Sequence, residues 1–267
     1  MVFVDSHTHL TEVTFENLEW MYLVGIREVV APAQLVATQR VSCKTIKDVW
    51  DHQLGMQTGR AASNLIKVYT MISISMVSMP AEDPQELYEA MPGYLKMPQV
   101  VAVGEIGFEP ASKSCPDLGF QEEVVRNQVM IARDASVPVD FHVPHPPDKK
   151  KMFTEKTLKI CQEIGIPFSR VIIDHCSEAN IEMVLEAGAA AAISVQPWRG
   201  LTPEIAADLV IKYGPERVML NSDCGTNLSD PCAVAKAAFA LKKKGAADEI
   251  IDKVCRANCK KILNLPD

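Results

Sequence analysis

Eight short apolar, β-branched stretches recur along the chain, and a segment with helical periodicity follows each. The stretches are 2–6 (VFVDS), 26–31 (IREVVA), 66–73 (IKVYTMIS), 100–105 (VVAVGE), 138–142 (PVDFH), 170–175 (RVIIDH), 190–195 (AAAISV) and 217–223 (RVMLNSD). Near-continuous apolar runs suit strands of a parallel sheet covered on both faces. Helix-start signals stand between them. Asp83-Pro84 with Glu86 reads as a cap, a proline at the first helical position and a capping box; Thr202-Pro203 and Asp230-Pro231 repeat the cap-then-proline order. Ile181, Val184, Leu185 and Gly188 share one helical face, as do Val234, Ala238 and Leu241. Eight βα units joined by right-handed crossovers predict an α/β chain closed into a (β/α)8 barrel. At 267 residues, 1–267 matches one such domain of about 250 residues. An open doubly wound sheet would carry a Gly-rich phosphate loop after its first strand, but here that strand runs into Ser6-His7-Thr8-His9.

The chain has only six histidines, and four of them fall at the C-terminal ends of predicted strands: His7 and His9 after the first, His142 at the fifth, His175 at the sixth. Glu105 ends the fourth and Asp223 the eighth. In a barrel these ends meet at one mouth, where active sites lie. Residues i and i+2 on an extended segment project to one side, so His7 and His9 can grip one ion. Imidazole with carboxylate suits one or two divalent ions, zinc first, with Mn, Mg, Fe or Ni compatible with the same ligand types. A carboxylate such as Glu105 can bridge two ions. An ion of this kind lowers the pKa of bound water to about 7, and Asp223 can accept a proton there as the catalytic carboxylate.

The motifs DSHTHL at the start, VGEIGF around Glu105, DFHVP at His142, IDHCSE at His175 and LNSDCG at Asp223 resemble the amidohydrolase superfamily, and within it the TatD-related hydrolases, from residue 2 to the end of the chain. The resemblance implies a TIM barrel, one or two divalent ions and hydrolysis of a phosphoester, ester or amide bond. It also implies that His7, His9 and Asp223 hold the more buried ion, that Glu105 bridges, and that His142 and His175 hold the second. Three positions depart from the TatD pattern. Gly107-Phe108-Glu109 stands where Gly-Leu-Asp is usual, Val143-Pro144 where Ser/Thr-Arg follows the fifth-strand histidine, and Asn221-Ser222-Asp223 where Glu-Thr-Asp is usual. A guanidinium suits phosphate well, and its loss at that position weighs against deoxyribonuclease activity. The alternatives are a small-molecule amidohydrolase or lactonase, a sugar-acid isomerase, or a barrel that binds metal and ligand without turnover.

The net charge of −7 provides no overall basic field for nucleic acid. It favours a small-molecule substrate over a phosphodiester strand and leaves the oligomeric state open. His145, and Trp198 with Arg199 in QPWRG, are candidate substrate contacts because loops at this face carry specificity. Lys149-Lys150-Lys151 reads as a solvated run. Cys176 and Cys224 adjoin the proposed ligands but face away by strand alternation, and His52 reads as a surface helix residue. The segment 32–65, with a helix over about 45–60, is expected to wall the substrate pocket. The eight cysteines contain no CxxC pair, which predicts reduced thiols and a cytoplasmic location. The opening MVFVDSHTHL lacks signal-peptide character, and no apolar run is long enough for a membrane span.

Overall fold

The computed structural model describes residues 1–35, 40–110 and 115–266. All eight predicted strands form: β1 Phe3–Asp5, β2 Ile26–Ala33, β3 Lys67–Ile72, β4 Val100–Gly107, β5 Val139–His142, β6 Val171–Ile173, β7 Ala190–Ser194 and β8 Val218–Asn221. They pair in parallel and in sequence order as one sheet. The seam between β1 and β8 closes just past the strand ends. Thr8 bridges Cys224 in parallel, His9 N donates to Cys224 O at 2.7 Å, and Asp223 N donates to His7 O at 3.1 Å. The result is the expected (β/α)8 TIM barrel.

Alternation along the strands sorts the core into two parts. Val29, Ala31, Val68, Ile72, Val103 and Phe141 face outward into the layer shared with the helices. Val4, Val30, Tyr69, Met71, Ala102, Ile172, Ala192 and Met219 face inward. The inner cluster continues into Cys259, Ile262, Leu263 and Leu265, contributed by the C-terminal helix and the residues after it. That segment plugs the end of the barrel opposite the strand C-termini. Asn258 Nδ2 ties it to β8 by donating to Val218 O at 2.8 Å.

The helices follow the sequence signals with some corrections. Thr202 caps Pro203–Tyr213 by accepting from Ile205 N, as predicted. The capping box at Asp83 does not form. Asp83 Oδ1 accepts from Gln85 N at 3.0 Å, and Glu86 pairs with Lys47 on a neighbouring helix instead. Asp230 Oδ1 accepts from Cys232 N, and the helix that follows begins only at Ala233. Within 32–65 the helical run is longer than predicted: Cys43–His52, a π turn at Gln53–Gln57, then Thr58–Ala62. It packs as the outer helix after β2, with Trp50 fully buried and donating Nε1–H to Ser73 O at 3.1 Å. Residues 36–39 of that segment lie outside the described residues. Among the described residues no helix is long and apolar enough to cross a membrane.

Candidate metal centre

Two strands end earlier than the apolar runs suggest, and this sets up the mouth of the barrel. β6 stops at Ile173 and β8 at Asn221, so His175 and Asp223 stand two residues beyond them with left-handed backbone, φ 56° and 46°. Such conformations cost on the order of 1–2 kcal/mol per non-glycine residue and persist only where the surroundings hold them. Around His175 the hold is visible: its N donates to Asp174 Oδ1 at 2.7 Å, and buried Lys150 donates to its carbonyl. At Asp223 it is the seam hydrogen bond to His7 O. Gly225 lets this loop lie against the first, because a Cβ there would stand 2.5 Å from His9 O, at φ 98°.

The side chains converge in two groups. His7, His9 and Asp223 place ligand atoms within 4.8 Å of one another, and so do Glu105, His142 and His175. In the first, His7 Nε2 lies 3.3 Å from His9 Nε2, and His9 Nε2 lies 3.0 Å from Asp223 Oδ1. In the second, Glu105 Oε1 lies 2.9 Å from His175 Nε2 and 3.1 Å from His142 Nδ1. Glu105 Oε2 stands 3.8 Å from His7 Nε2, which links the groups. Around an ion with bonds of about 2.0–2.1 Å, tetrahedral neighbours sit about 3.3 Å apart. The observed separations and the nitrogen–oxygen donor set therefore fit divalent ions.

Buried polar residues hold the donors in place. His7 Nδ1 lies 2.6 Å from Asp174 Oδ2 and 3.5 Å from Asp140 Oδ2, on the ring edge away from His9. Asp174 Oδ1 accepts from Asn221 Nδ2 at 2.9 Å and from Ser194 Oγ at 3.1 Å. Gln34 Nε2 donates to Glu105 Oε2 at 2.8 Å, and Gln196 Nε2 donates to Asp223 Oδ2 at 2.5 Å. Asp5 holds the Ser222 turn through that residue's N–H and hydroxyl.

Electrostatics follow this packing. Burial disfavours the His7 imidazolium, but Asp174 and Glu105 beside it outweigh burial and hold its pKa well above the ordinary value. Burial likewise opposes the Glu105 carboxylate, and His7, His142 and His175 overcome it, leaving Glu105 well below the usual range. Asp223 is lowered against its burial by His9 and the other histidines. Burial, with Asp174 adjacent, pushes Asp140 up to about 7. A cluster that attracts protons this strongly onto His7 is a cluster suited to a cation.

A cavity of about 170 Å³ opens over these groups, lined also by Gln34, Glu109, His145 and Arg199. All six predicted ligand-type residues come together here. His145 lies beside them, its ring 5.2 Å from that of His175, with burial and the neighbouring histidines lowering its pKa. Arg199 Nη1 is 3.0 Å from His145 Nδ1. Trp198 does not line the cavity: its ring is partly exposed, under the Arg199 guanidinium at 4.2 Å. Of the described part of 32–65 only Gln34 lines it, and the described helical run covers the barrel wall. Cys176 and Cys224 are buried and their thiols are pushed up by burial, as a packing role requires. The solvated reading of the lysine run fails for Lys150. It lies on the buried stripe of the helix Pro147–Ile164, which also carries Phe153, Thr154, Thr157 and Cys161. That i, i+3, i+4, i+7 pattern was the sequence signal that could have found it.

Residues 4–264 match the profile of the TatD-related DNase family. The chain belongs to that family. It is thus a TatD-type metal-dependent hydrolase. An uncharacterised metal-dependent hydrolase of Methanocaldococcus jannaschii is 28% identical over 251 residues, 93% of this chain and 94% of that one. The crystal structure of a TatD-like protein from Archaeoglobus fulgidus superposes with a TM-score of 0.79 at 28% identity, covering 98% of this chain and all of that one. The phosphotriesterase homology protein of Escherichia coli, solved with phosphate in its active site, shares the fold: TM-score 0.69 at 17% identity, with 98% of each chain covered. Against the usual TatD pattern, Val143 and Pro144 after the fifth-strand histidine are both buried, and the guanidinium at the mouth comes from the β7 loop as Arg199.

Proposed function

We propose that this TatD-family hydrolase works through two divalent ions, one on His7, His9 and Asp223 and one on His142 and His175, with Glu105 between them. Zinc is the first choice for a site of imidazole and carboxylate. The observation that carries the reading is the pair of donor triads joined across the 3.8 Å Glu105–His7 contact, with His9, Glu105, His142, His175 and Asp223 lining one cavity. When bound, such ions supply Lewis acidity, polarising an electrophile and making hydroxide available near neutral pH. Asp223 accepts the proton from the attacking water, with Gln196 on its second oxygen fixing the orientation of the carboxylate. His145 and Arg199 orient the substrate, with Trp198 stacked against the guanidinium. Val143-Pro144 after the fifth-strand histidine, with no guanidinium there, and the net charge of −7 favour a small phosphoester, ester, lactone or amide over a DNA strand, in a cytoplasmic setting.

Two measurements test this. Elemental analysis of protein purified without chelator should find clearly less metal in His7→Ala/His9→Ala, which keeps Glu105, His142 and His175, than in the wild type; equal content in both removes the proposed site at His7, His9 and Asp223. Chromogenic phosphodiesters, esters and lactones, beside single-stranded DNA, are then assayed with Zn, Mn and Mg against Asp223→Asn. Small-substrate turnover lost in the variant by at least about 100-fold supports the reading. DNA cleavage lost in the variant assigns the nuclease activity instead. Normal metal content with no turnover of any substrate leaves a binding protein.

A further inference from the structure

Beside the metal cavity lies a second compartment of about 200 Å³, which shares His145, His175 and Arg199 with it. The two differ in charge. Glu105, Glu109 and Asp223 line the first, whereas among the described residues no carboxylate lines the second. Its charged walls are Lys150, 4% exposed, and the half-buried Arg199. Ser177 and Gln196 add polar groups. Among the described residues neither cation forms an ion pair with a carboxylate; their side-chain hydrogen bonds go to a carbonyl and an imidazole. Lys150 spends one proton on His175 O, and Arg199 spends one on His145 Nδ1. An ammonium has three protons to donate and a guanidinium five, so most of this capacity is unspent. Buried charges are normally paired, since an uncompensated one is costly. The carboxylates that act electrostatically on these cations, Asp174 on Lys150 and Asp223, Glu105 and Glu109 on Arg199, belong to the metal cluster or line its cavity. Ions bound there would compensate them further, but the lining of the second compartment is cationic without them.

We propose that this compartment is an anion subsite for a phosphomonoester group on the substrate, held by Lys150 and Arg199 while the scissile bond lies over the metal cluster. A phosphomonoester carries nearly two negative charges at pH 7 and matches two cations, where a carboxylate matches one. Arg199 gives a planar fork and Lys150 a point charge, a pairing suited to a tetrahedral oxyanion. The inference rests on the hydrolase reading for its purpose, but its test does not depend on turnover.

Inorganic phosphate is titrated calorimetrically into zinc-loaded protein and into protein stripped with a chelator, with acetate as the comparison anion. Phosphate should bind both forms, within about tenfold of each other, and acetate at least about tenfold more weakly. Arg199→Gln and Lys150→Met should each weaken phosphate binding to the stripped protein by at least about tenfold, the loss expected for one charge-assisted hydrogen bond. Circular dichroism and zinc content check that each variant is folded. Because Lys150 also supports the His175 turn, Arg199→Gln decides the matter if Lys150→Met fails to fold. Phosphate binding that disappears on stripping belongs to the ions and overturns the proposal, as does binding that Arg199→Gln leaves unchanged. Failure of the hydrolase reading would appear separately, as wild-type protein that takes up no metal.

Discussion

His7 shows how much of this site depends on residues that touch no substrate. Its Nε2 edge faces His9 and Glu105, and its Nδ1 edge lies against Asp174 and Asp140. A carboxylate on the far ring nitrogen fixes the tautomer and raises the basicity of the near one, an effect commonly worth about 10–100-fold in metal affinity. Asp174→Asn is nearly isosteric; because Asn221, Ser194 and His175 N all donate to Oδ1, its amide oxygen would keep that place and its NH2 would face His7 Nδ1, where a carboxylate oxygen now stands. We expect zinc affinity to fall by about 10–100-fold in that variant, measured by competition with a chromophoric chelator; unchanged affinity would reduce Asp174 to packing. The six ligand-type residues were legible in the sequence because a barrel sends every strand end to the same place. Asp140 and Asp174 were not, because they lie within apolar runs that read as strand. Gln34 and Gln196 carry no signal of their own: an amide beside a strand end has many uses, and only the fold brings these two onto Glu105 and Asp223.

At the scale of elements, the eight strands were legible because the runs are apolar enough to be covered on both faces. Their ends were less so. RVIIDH and RVMLNSD look like uninterrupted strand, yet β6 and β8 stop two residues before the functional side chain and hand over to a left-handed turn. The C-terminal plug was hidden as well. Cys255 and Cys259 are spaced for one helical face, but a π turn at Lys253–Ala257 intervenes. Cys255 then joins the helix layer and Cys259 the barrel interior, with Ile262, Leu263 and Leu265. This element makes a prediction of its own. Leu263→Ala removes a side chain that is 3% exposed, at the barrel end away from the site. Denaturant unfolding should show a loss of about 2–5 kcal/mol, while zinc bound per folded molecule stays the same. A loss of zinc without a loss of stability would mean that the plug governs the site.

For the molecule as a whole, the site is where the barrel is fastened. His7 and His9 follow β1, Glu105 lies in β4, His142 ends β5, His175 follows β6 and Asp223 follows β8. The seam between β1 and β8 depends on hydrogen bonds at His7, His9 and Asp223, the same residues proposed to hold one ion. An ion there would join the two edges of the sheet, and a second would tie β4 to β5 and β6. Neither set of donors is assembled in the unfolded chain, so binding free energy adds to folding free energy. For free metal at about 100 times its dissociation constant, the gain is about 2.7 kcal/mol. For a domain of this size each kcal/mol moves the midpoint by about 2–4 °C. Stripping the protein with a chelator should therefore lower its thermal midpoint by about 5–10 °C for each ion held, and added zinc should restore it. The shift should vanish in His7→Ala/His9→Ala if the ion at the seam supplies most of it. If that variant keeps the full shift, the fastening lies at Glu105, His142 and His175 instead, and the seam is held by its hydrogen bonds alone.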